Sequence, residues 1–433
     1  MSKPQPSTAR LQVPVRNQMK LDERSVDQLL PPDHAARIVW DYVAGVDLTP
    51  LLARIKAVAG HPGQPAIDPR ILLSLWLLAT LDGVGSAREL DRLCIVHIGY
   101  EWLCGGVSVN YHTLADFRSQ NVEFLDGLLS QSVATLVHQN LVDMQEIAQD
   151  GLRVRASAGA KSFRRQVTLE QCLVAARAQV AALRTQLDED DGAVSRRQQA
   201  ARQRAVRERQ ERIERALQER AMLAERQEQV HEHKGTRGRE PRASTTDPEA
   251  RIMKMPDGGF RPAYNVELAT ATSSGIIVGL DVINVGSDSG QLLPMVEQIQ
   301  RRYQQTPARL LADGDFAQLD DIARLHADHQ VEVYAPIRNE AKLQLQGVDP
   351  HQPKPRDKPG VAIWRQRMGT AAAQAIYRRR AQTAEWANAR LRNWGLRQVL
   401  VRGLHRVRAV SLLFALASNL MRAVTLRAPA SSG

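Results

Sequence analysis

The sequence predicts an α/β protein in which an all-helical region precedes a mixed sheet and a long helical hairpin interrupts that sheet. Three patterns support this. Short apolar helical segments with Gly-rich breaks fill the first third of the chain, and apolar residues then recur at spacings of three and four. Strand and helix patterns alternate in the second half. With 433 residues, the chain is long enough for about two or three domains.

The helical region shows recognisable helix starts and stops. Asp68 begins a helix that ends where Gly83 and Gly85 interrupt the apolar pattern. Ser86, three residues before a Glu, has the capping-box pattern and begins the next helix, and Thr113 is placed to cap a third. Short helices joined by Gly-rich turns are typical of helix-turn-helix DNA-binding modules. A helical bundle with no DNA role has the same pattern.

A heptad-like apolar face predicts one helix of an antiparallel hairpin. Its positions are Leu173, Ala176, Val180, Leu183 and Leu187. An acidic turn follows at 188–192, and an Arg-, Glu- and Gln-rich second helix runs to about Val230. Such a hairpin is either a solvated spacer or an arm that contacts DNA or a second subunit.

The remaining segments follow the order β-β-β-α-β-α-β-α. Strands are predicted at 146–157, 264–272, 275–284, 309–313 and 331–336, and helices at 289–303, 319–328 and 374–393. The first of these helices is expected to be capped near Ser287 or Asp288. The first three strands can pair as an antiparallel meander, and the later strands add in parallel. This is the element order of the ribonuclease H-like fold, with the hairpin inserted between its first and second strands.

The predicted division of the chain follows from these elements. It comprises a flexible N-terminus (1–20), a helical DNA-binding domain (21–143), a ribonuclease H-like catalytic domain (144–165 and 234–425) and the inserted hairpin (166–233).

Three acidic residues occupy positions that such a sheet would bring together. Asp150 lies in the first strand, Asp313 ends an apolar run in the fourth, and Glu385 lies on the last helix. The first and fourth strands are neighbours in this fold, and the last helix packs across them. Hard cations such as Mg²⁺ prefer carboxylate oxygens, and two ions about 3.5–4 Å apart can support in-line displacement at a phosphodiester. A single Asp is usually a cap or turn residue, but this triplet favours catalysis.

The composition favours a polyanionic partner, because the formal net charge is +11. DNA and a membrane surface both fit that charge. However, the longest apolar stretch, 409–421, is shorter than the roughly 20 residues of a spanning helix and is expected to be buried. The N-terminal segment lacks a signal-peptide core, and Cys94, Cys104 and Cys172 lack zinc-site spacing. We therefore expect a cytoplasmic, nucleoid-associated protein that binds double-stranded DNA and no membrane.

Several motifs resemble those of bacterial insertion-sequence DDE transposases. The segment 377–385 followed by Arg392 is similar to their Tyr…Arg…Glu…Lys signature. Other similar segments are 247–251, 258–265 and 312–314, and 61–118 resembles the InsH-type N-terminal domain of the same transposases. The resemblance covers about residues 25 to 423, and its motifs occur in the family's order.

The resemblance implies a ribonuclease H-like core that holds two Mg²⁺ or Mn²⁺ ions through Asp150, Asp313 and Glu385. It also implies recognition of terminal inverted repeats, joining to target DNA, and a homodimer on DNA. The residues expected near the DNA backbone are Tyr377, Arg378, Arg379, Arg380 and Arg392.

Two departures from the family pattern leave other functions open. Arg392 replaces the usual Lys, and Asp315 stands where a small residue is common. A catalytically inactive DNA-binding relative that represses its own element is one alternative. A stand-alone metal-dependent nuclease without strand transfer is another.

Overall fold

The computed structural model of the chain describes residues 23–57, 64–189, 196–234 and 240–428. The predicted flexible N-terminus and most of the predicted acidic turn lie outside these residues. The α-helices are α1 (Val26–Leu29), α2 (Ala35–Ala44), α3 (Thr49–Leu52), α4 (Pro69–Leu81), α5 (Ala87–Val96), α6 (Ile98–Cys104), α7 (Tyr111–Gln120), α8 (Val122–His138), α9 (Gln166–Glu189), α10 (Arg196–Lys234), α11 (Leu292–Tyr303), α12 (Leu319–His329), α13 (Glu340–Leu345), α14 (Pro359–Met368), α15 (Ala371–Tyr377), α16 (Trp386–Asn393) and α17 (Leu404–Arg427).

The strands are β1 (Glu146–Arg155), β2 (Phe163–Arg164), β3 (Ala243–Ser244), β4 (Arg251–Lys254), β5 (Phe260–Ala271), β6 (Ile277–Ile283), β7 (Arg309–Leu311) and β8 (Glu332–Tyr334). A six-stranded sheet has the order β4-β5-β1-β7-β8, and β6 also pairs with β5. Pairing is antiparallel for β1–β5 and β5–β6, and parallel for β1–β7 and β7–β8. The predicted meander followed by parallel strands is thus confirmed, as is the adjacency of the first and fourth predicted strands.

Strand β5 begins four residues earlier than predicted. Its first residues pair with β4, in the register Lys254 with Phe260. Gly258 closes this hairpin with a φ of +82°, a conformation that L-residues rarely adopt. The extra strand β4 therefore lengthens one end of the sheet.

The caps of two N-terminal helices agree with the sequence prediction. The Asp68 carboxylate accepts a hydrogen bond from the backbone N–H of Arg70 at 2.8 Å, and α4 begins there. The Ser86 hydroxyl accepts one from the backbone N–H of Glu89 at 3.4 Å, which begins α5. The Glu89 carboxylate is bound by Arg92 on the next turn, at 2.6 Å.

Two predicted helix starts are wrong. Helix α7 is capped by Asn110, whose side-chain oxygen accepts from the backbone N–H of Thr113 at 3.0 Å, so Thr113 lies inside the first turn. Helix α11 begins after Gln291, later than predicted, because Asp288 does not cap it. The Asp288 carboxylate instead accepts from the side-chain amide of Asn265 at 2.5 Å.

The N-terminal helices and the sheet share one hydrophobic core. Helix α17 links them, since it packs against α4, α7 and α8 on one side and against β6 on the other. Asn419 fixes this contact with hydrogen bonds to both backbone groups of Ile277, each at 2.8 Å. In the described part of the chain, α17 alone is long and apolar enough to cross a membrane, but 72% of its apolar window is buried. It contains the segment predicted to be a buried helix, and the burial confirms that expectation.

The hairpin helices α9 and α10 pack against each other along the predicted apolar face. Ala176 and Ile213 are buried at this contact, and Arg177 pairs with Glu214 across it at 3.1 Å. At the base of the hairpin, Glu219 of α10 forms an ion pair with Arg251 of β4. Both of those side chains are largely buried, so the base is attached to the sheet.

Candidate active site

Asp150 and Asp313 lie just beyond the paired ends of two parallel strands. Strands β1 and β7 pair up to Ala148 and Leu311, and each acid follows two residues later. The carboxyl ends of parallel strands meet at one edge of a sheet, so the two side chains approach one another. Their exposure differs, since the Asp150 side chain is 20% exposed and that of Asp313 is 56% exposed.

Asp313 occupies a tight turn. Its carboxylate accepts from the backbone N–H of Gly314 at 2.5 Å, and a 3₁₀ helix, Gly314–Phe316, follows. A Cβ on Gly314 would lie 3.1 Å from the carbonyl oxygen of Pro336, so a larger residue would push the turn away from the strand behind it. This packing holds Asp313 at the sheet edge.

The third acid comes from an irregular helix. Between α15 and α16 the backbone forms a π-helical turn, Ala381–Glu385, instead of the continuous helix that the sequence predicts. Residues five apart point in different directions on an α-helix, but the i→i+5 hydrogen bonds of a π turn bring them onto one face. Glu385 therefore lies on the same side as Arg380.

Arg380 lies between the three acids. Its Nη2 is 3.0 Å from Asp150 Oδ1 and 3.8 Å from Asp313 Oδ2, and its Nη1 is 3.4 Å from Glu385 Oε1. The residue is 8% exposed. Asn388, also buried, donates from Nδ2 to Asp150 Oδ2 at 2.8 Å. The predicted triad thus converges on one point, and that point is occupied by a guanidinium.

The charges at this point are strongly coupled. Burial raises the pKa of Asp150 above its ordinary value, although the positive charge of Arg380 opposes that shift. Burial lowers the pKa of Arg380, but the negative charges of Asp150, Asp313 and Glu385 oppose this shift, and the pKa is raised overall. Each partner therefore stabilises the charged form of the other.

The donor set suits a hard divalent cation. All the convergent ligand atoms are carboxylate oxygens, and the two outer acids, Asp313 and Glu385, are more than half exposed to solvent. No group of three His, Cys, Asp or Glu side chains in the described residues is close enough to hold a metal ion as it stands. The chemistry of the site therefore fits a metal, while the guanidinium of Arg380 occupies the space between the acids.

Two matches to family models cover most of the chain. Residues 226–420 match a model described as Transposase DDE domain, and residues 24–120 match one described as Transposase domain (DUF772). The chain belongs to the insertion-sequence DDE transposases. A transposase DDE domain implies a ribonuclease H-like core, and the strand order of this transposase agrees with it. No curated protein and no solved structure matches the chain.

The matches leave two points as predictions. The DDE match includes Asp313 and Glu385 but begins after Asp150, so the structure alone brings the first acid to the other two. The second match covers the N-terminal helices without identifying an InsH-type domain.

The other predicted DNA contacts surround the acids unevenly. Arg378 is exposed, and Tyr377 is half-buried beside Arg380. Arg379 pairs with the buried Glu146 of β1 at 3.1 Å. Arg392 is half-buried, and its carbonyl oxygen accepts from Arg397 Nε at 3.1 Å. Among these five residues, Arg380 is therefore the one that faces all three acids.

A second acidic group lies beside the triad and was missed in the sequence. Glu267 of β5 is 1% exposed, and burial, reinforced by the charge of Asp288, raises its pKa to about 8. Its oxygens accept from Asn265 Nδ2 at 2.7 Å and from Gln149 Nε2 at 3.2 Å. The signal was present in the sequence, because Asn265 and Glu267 are two residues apart in the mainly apolar centre of β5 and so share one face.

An open cleft of about 520 Å³ adjoins Asp313. Asp288, Asp315, Arg153 and Arg338 also line it. Asp315 is exposed, and Arg338 donates hydrogen bonds to the carbonyl oxygens of Gly314 and Asp315. The residue that departs from the family pattern thus faces this cleft and is not packed against the triad.

Proposed function

We propose that this transposase binds the terminal inverted repeats of its element, cleaves the DNA there and joins a 3′-hydroxyl to target DNA. The observation that carries the proposal is the convergence of Asp150, Asp313 and Glu385, from three separate elements, on Arg380. Acids brought from distant parts of a chain to one solvent-accessible edge are costly to maintain without a cationic partner. A ligand role for them explains that arrangement.

In this proposal the three acids hold two Mg²⁺ or Mn²⁺ ions. Such ions, once bound, activate an attacking oxygen and stabilise the leaving oxygen of a phosphodiester. Asp150 is fixed by Asn388 and by the strand that carries it, so it sets the position of the site. Asp313 lines the cleft, and both Asp313 and Glu385 are more than half exposed, so ions could reach them from solvent.

Arginines near the acids supply the proposed DNA contacts. Arg378 is exposed and Arg379 half-exposed, and both lie between α15 and the π turn that ends at Glu385. Together with Tyr377 and Arg392 they place positive charge along one side of the acids, where a phosphate backbone would be neutralised. We infer a homodimer on DNA from the need to hold two element ends together, in the cytoplasm and associated with the nucleoid.

A cleavage assay on DNA carrying the element's end tests this function. Wild type should nick that DNA only with Mg²⁺ or Mn²⁺. Asp150→Asn, Asp313→Asn and Glu385→Gln should each lose about a thousandfold in rate, because metal-assisted charge stabilisation contributes several kcal/mol. DNA affinity at fixed salt should be kept. Asp320→Asn, which removes an exposed acid paired with Lys358, is the matched control and should cleave normally.

Each other outcome has a defined meaning. Wild-type cleavage by any triad variant would refute the assigned acids. Salt-sensitive DNA binding without metal-dependent cleavage by wild type would identify an inactive relative. Cleavage without joining to a target would identify a nuclease.

A further inference from the structure

Arg380 makes an unusual set of contacts for a structural arginine. It faces three carboxylates from three elements, at 3.0, 3.4 and 3.8 Å, and two of those carboxylates are more than half exposed. The pair Arg365–Asp357 shows the ordinary arrangement. There, one guanidinium Nε meets one carboxylate at 2.7 Å and both side chains are 6% exposed. Arg380 therefore serves a cluster of acids instead of a single partner.

The guanidinium of Arg380 is also incompletely bonded. Its Nε is buried and has no hydrogen-bond partner among the described residues, so the terminal nitrogens carry its contacts. A buried donor without a partner is costly, and such groups call for an explanation. The unpaired Nε is explained if Arg380 neutralises the acids only until another cation binds to them.

We propose that Arg380 is a counter-cation that holds the acid triad together before divalent ions bind and that competes with those ions for the same carboxylates. The inference rests on the proposed role of Asp150, Asp313 and Glu385 as metal ligands. The competition between Arg380 and a metal ion is clearest at Asp150. Its Oδ2 is bound by Asn388, while its Oδ1 accepts from Arg380 and from the backbone N–H of Gly151 at 3.1 Å. A cation that approaches Oδ1 must therefore displace or repel the guanidinium.

This proposal predicts whether substitution of Arg380 strengthens or weakens metal binding. Removal of a competing cation strengthens metal binding, whereas removal of a residue that only arranges the ligands weakens it. We expect Arg380→Gln to bind Mn²⁺ about tenfold more tightly than wild type, because the metal no longer has to displace the guanidinium from its ion pairs, which are modest where the acids are half exposed. Arg378→Gln, which removes the same charge from an exposed neighbour, should stay within about twofold of wild type.

The measurement is Mn²⁺ affinity of the full-length, DNA-free protein, read from the electron paramagnetic resonance signal of free Mn²⁺. Equal or weaker binding by Arg380→Gln would overturn the inference. Asp313→Asn separates this result from the proposed function. If Mn²⁺ binding survives Asp313→Asn, the metal-ligand assignment itself fails. If binding is lost there but Arg380→Gln shows no gain, only the role of Arg380 fails.

A second readout guards against misfolding of the variant. Metal binding stabilises the folded state by mass action, so Mn²⁺ should raise the Tm of Arg380→Gln more than that of wild type. In wild type itself, nuclear magnetic resonance of the arginine side chains should show the Nε–H signal of Arg380, assigned with Arg380→Lys, shifting on Mg²⁺ titration. An unchanged wild-type signal at saturating Mg²⁺ would overturn the inference.

Discussion

The buried acid Glu267 is expected to make the transposase less stable as pH rises. Burial, with the charges of Asp288, Asp150 and Asp281, raises the pKa of Glu267 from an ordinary 4.5 to about 8. Below pH 4.5 the folded and unfolded chains both carry the proton, and above about pH 8 both have lost it. Between these limits only the folded chain keeps the proton, so the free energy of unfolding falls as pH rises.

The size of this effect follows from the shift. Each pH unit between 4.5 and about 8 removes at most about 1.4 kcal/mol, which amounts to about 3 kcal/mol by pH 7 and about 5 kcal/mol above pH 8. Glu267→Gln removes the titrating group and keeps its shape. Its amide can still accept from Asn265, and the unpartnered Oε1 of Gln149 is available to accept from it.

Urea unfolding of both proteins in EDTA from pH 5 to pH 9, followed by two spectroscopic probes, measures the difference. We expect Glu267→Gln to match wild type near pH 5 and to exceed it by about 3 kcal/mol at pH 7. Glu123→Gln, at an exposed glutamate, should change stability by no more than about 0.5 kcal/mol. A Glu267→Gln difference that is the same at pH 5 and pH 8 would refute the reasoning.

Two further predictions concern the hydrogen bond to Asp150 and the backbone near the sheet. Asn388→Ala removes the 2.8 Å hydrogen bond from a buried amide to the partly buried Asp150, so it should cost about 1–3 kcal/mol in urea unfolding. It should also slow cleavage about tenfold; an unchanged kcat would show that Asn388 does not position that acid. Gly403→Ala should lower the Tm more than Gly105→Ala does. Gly105 is in the left-handed helical region, which other residues reach at modest cost, and a Cβ there would meet nothing. Gly403 has φ +86° and ψ +147°, a region essentially restricted to Gly, and a Cβ there would lie 2.7 Å from a Glu249 oxygen. Equal losses in Tm would contradict the steric explanation.

The sheet and the meeting of the acids could be predicted because they depend on simple periodicities. Alternation and apolar runs identify strands, and the strand order then places Asp150 beside Asp313. The position of Arg380 could not be predicted in this way. On a regular α-helix, Arg380 and Glu385 would point in different directions, and the π turn that aligns them leaves no periodic signal in the sequence. Arg380 was accordingly expected at the DNA backbone, and the structure places it among the acids.

The starts of α7 and α11 were predicted wrongly for a related reason. A cap depends on which of several nearby polar side chains reaches the free N–H groups, and tertiary contacts decide that choice. Asn110 was available to cap α7, while Asp288 was held by Asn265 and so could not cap α11. The same contact placed Asp288 beside the candidate site, where the sequence had suggested only a helix start.

The acids at this edge of the sheet explain why one buried arginine, Arg380, and one half-buried arginine, Arg153, lie there. Asp150 projects from one face of β1, and Glu267 and Asp288 lie at the opposite face of the sheet. Burial and repulsion between acids raise the pKa of all three. On the first face, Arg380 lies 3.0 Å from the Asp150 carboxylate. On the second, Arg153 lies 3.6 Å from the Asp288 carboxylate. Arg153 also donates to two backbone carbonyl oxygens at 3.0 Å, so the sheet end itself fixes its position. Arg380 lacks such backbone anchors among the described residues, and it is therefore the cation that a bound metal could replace without disturbing the sheet.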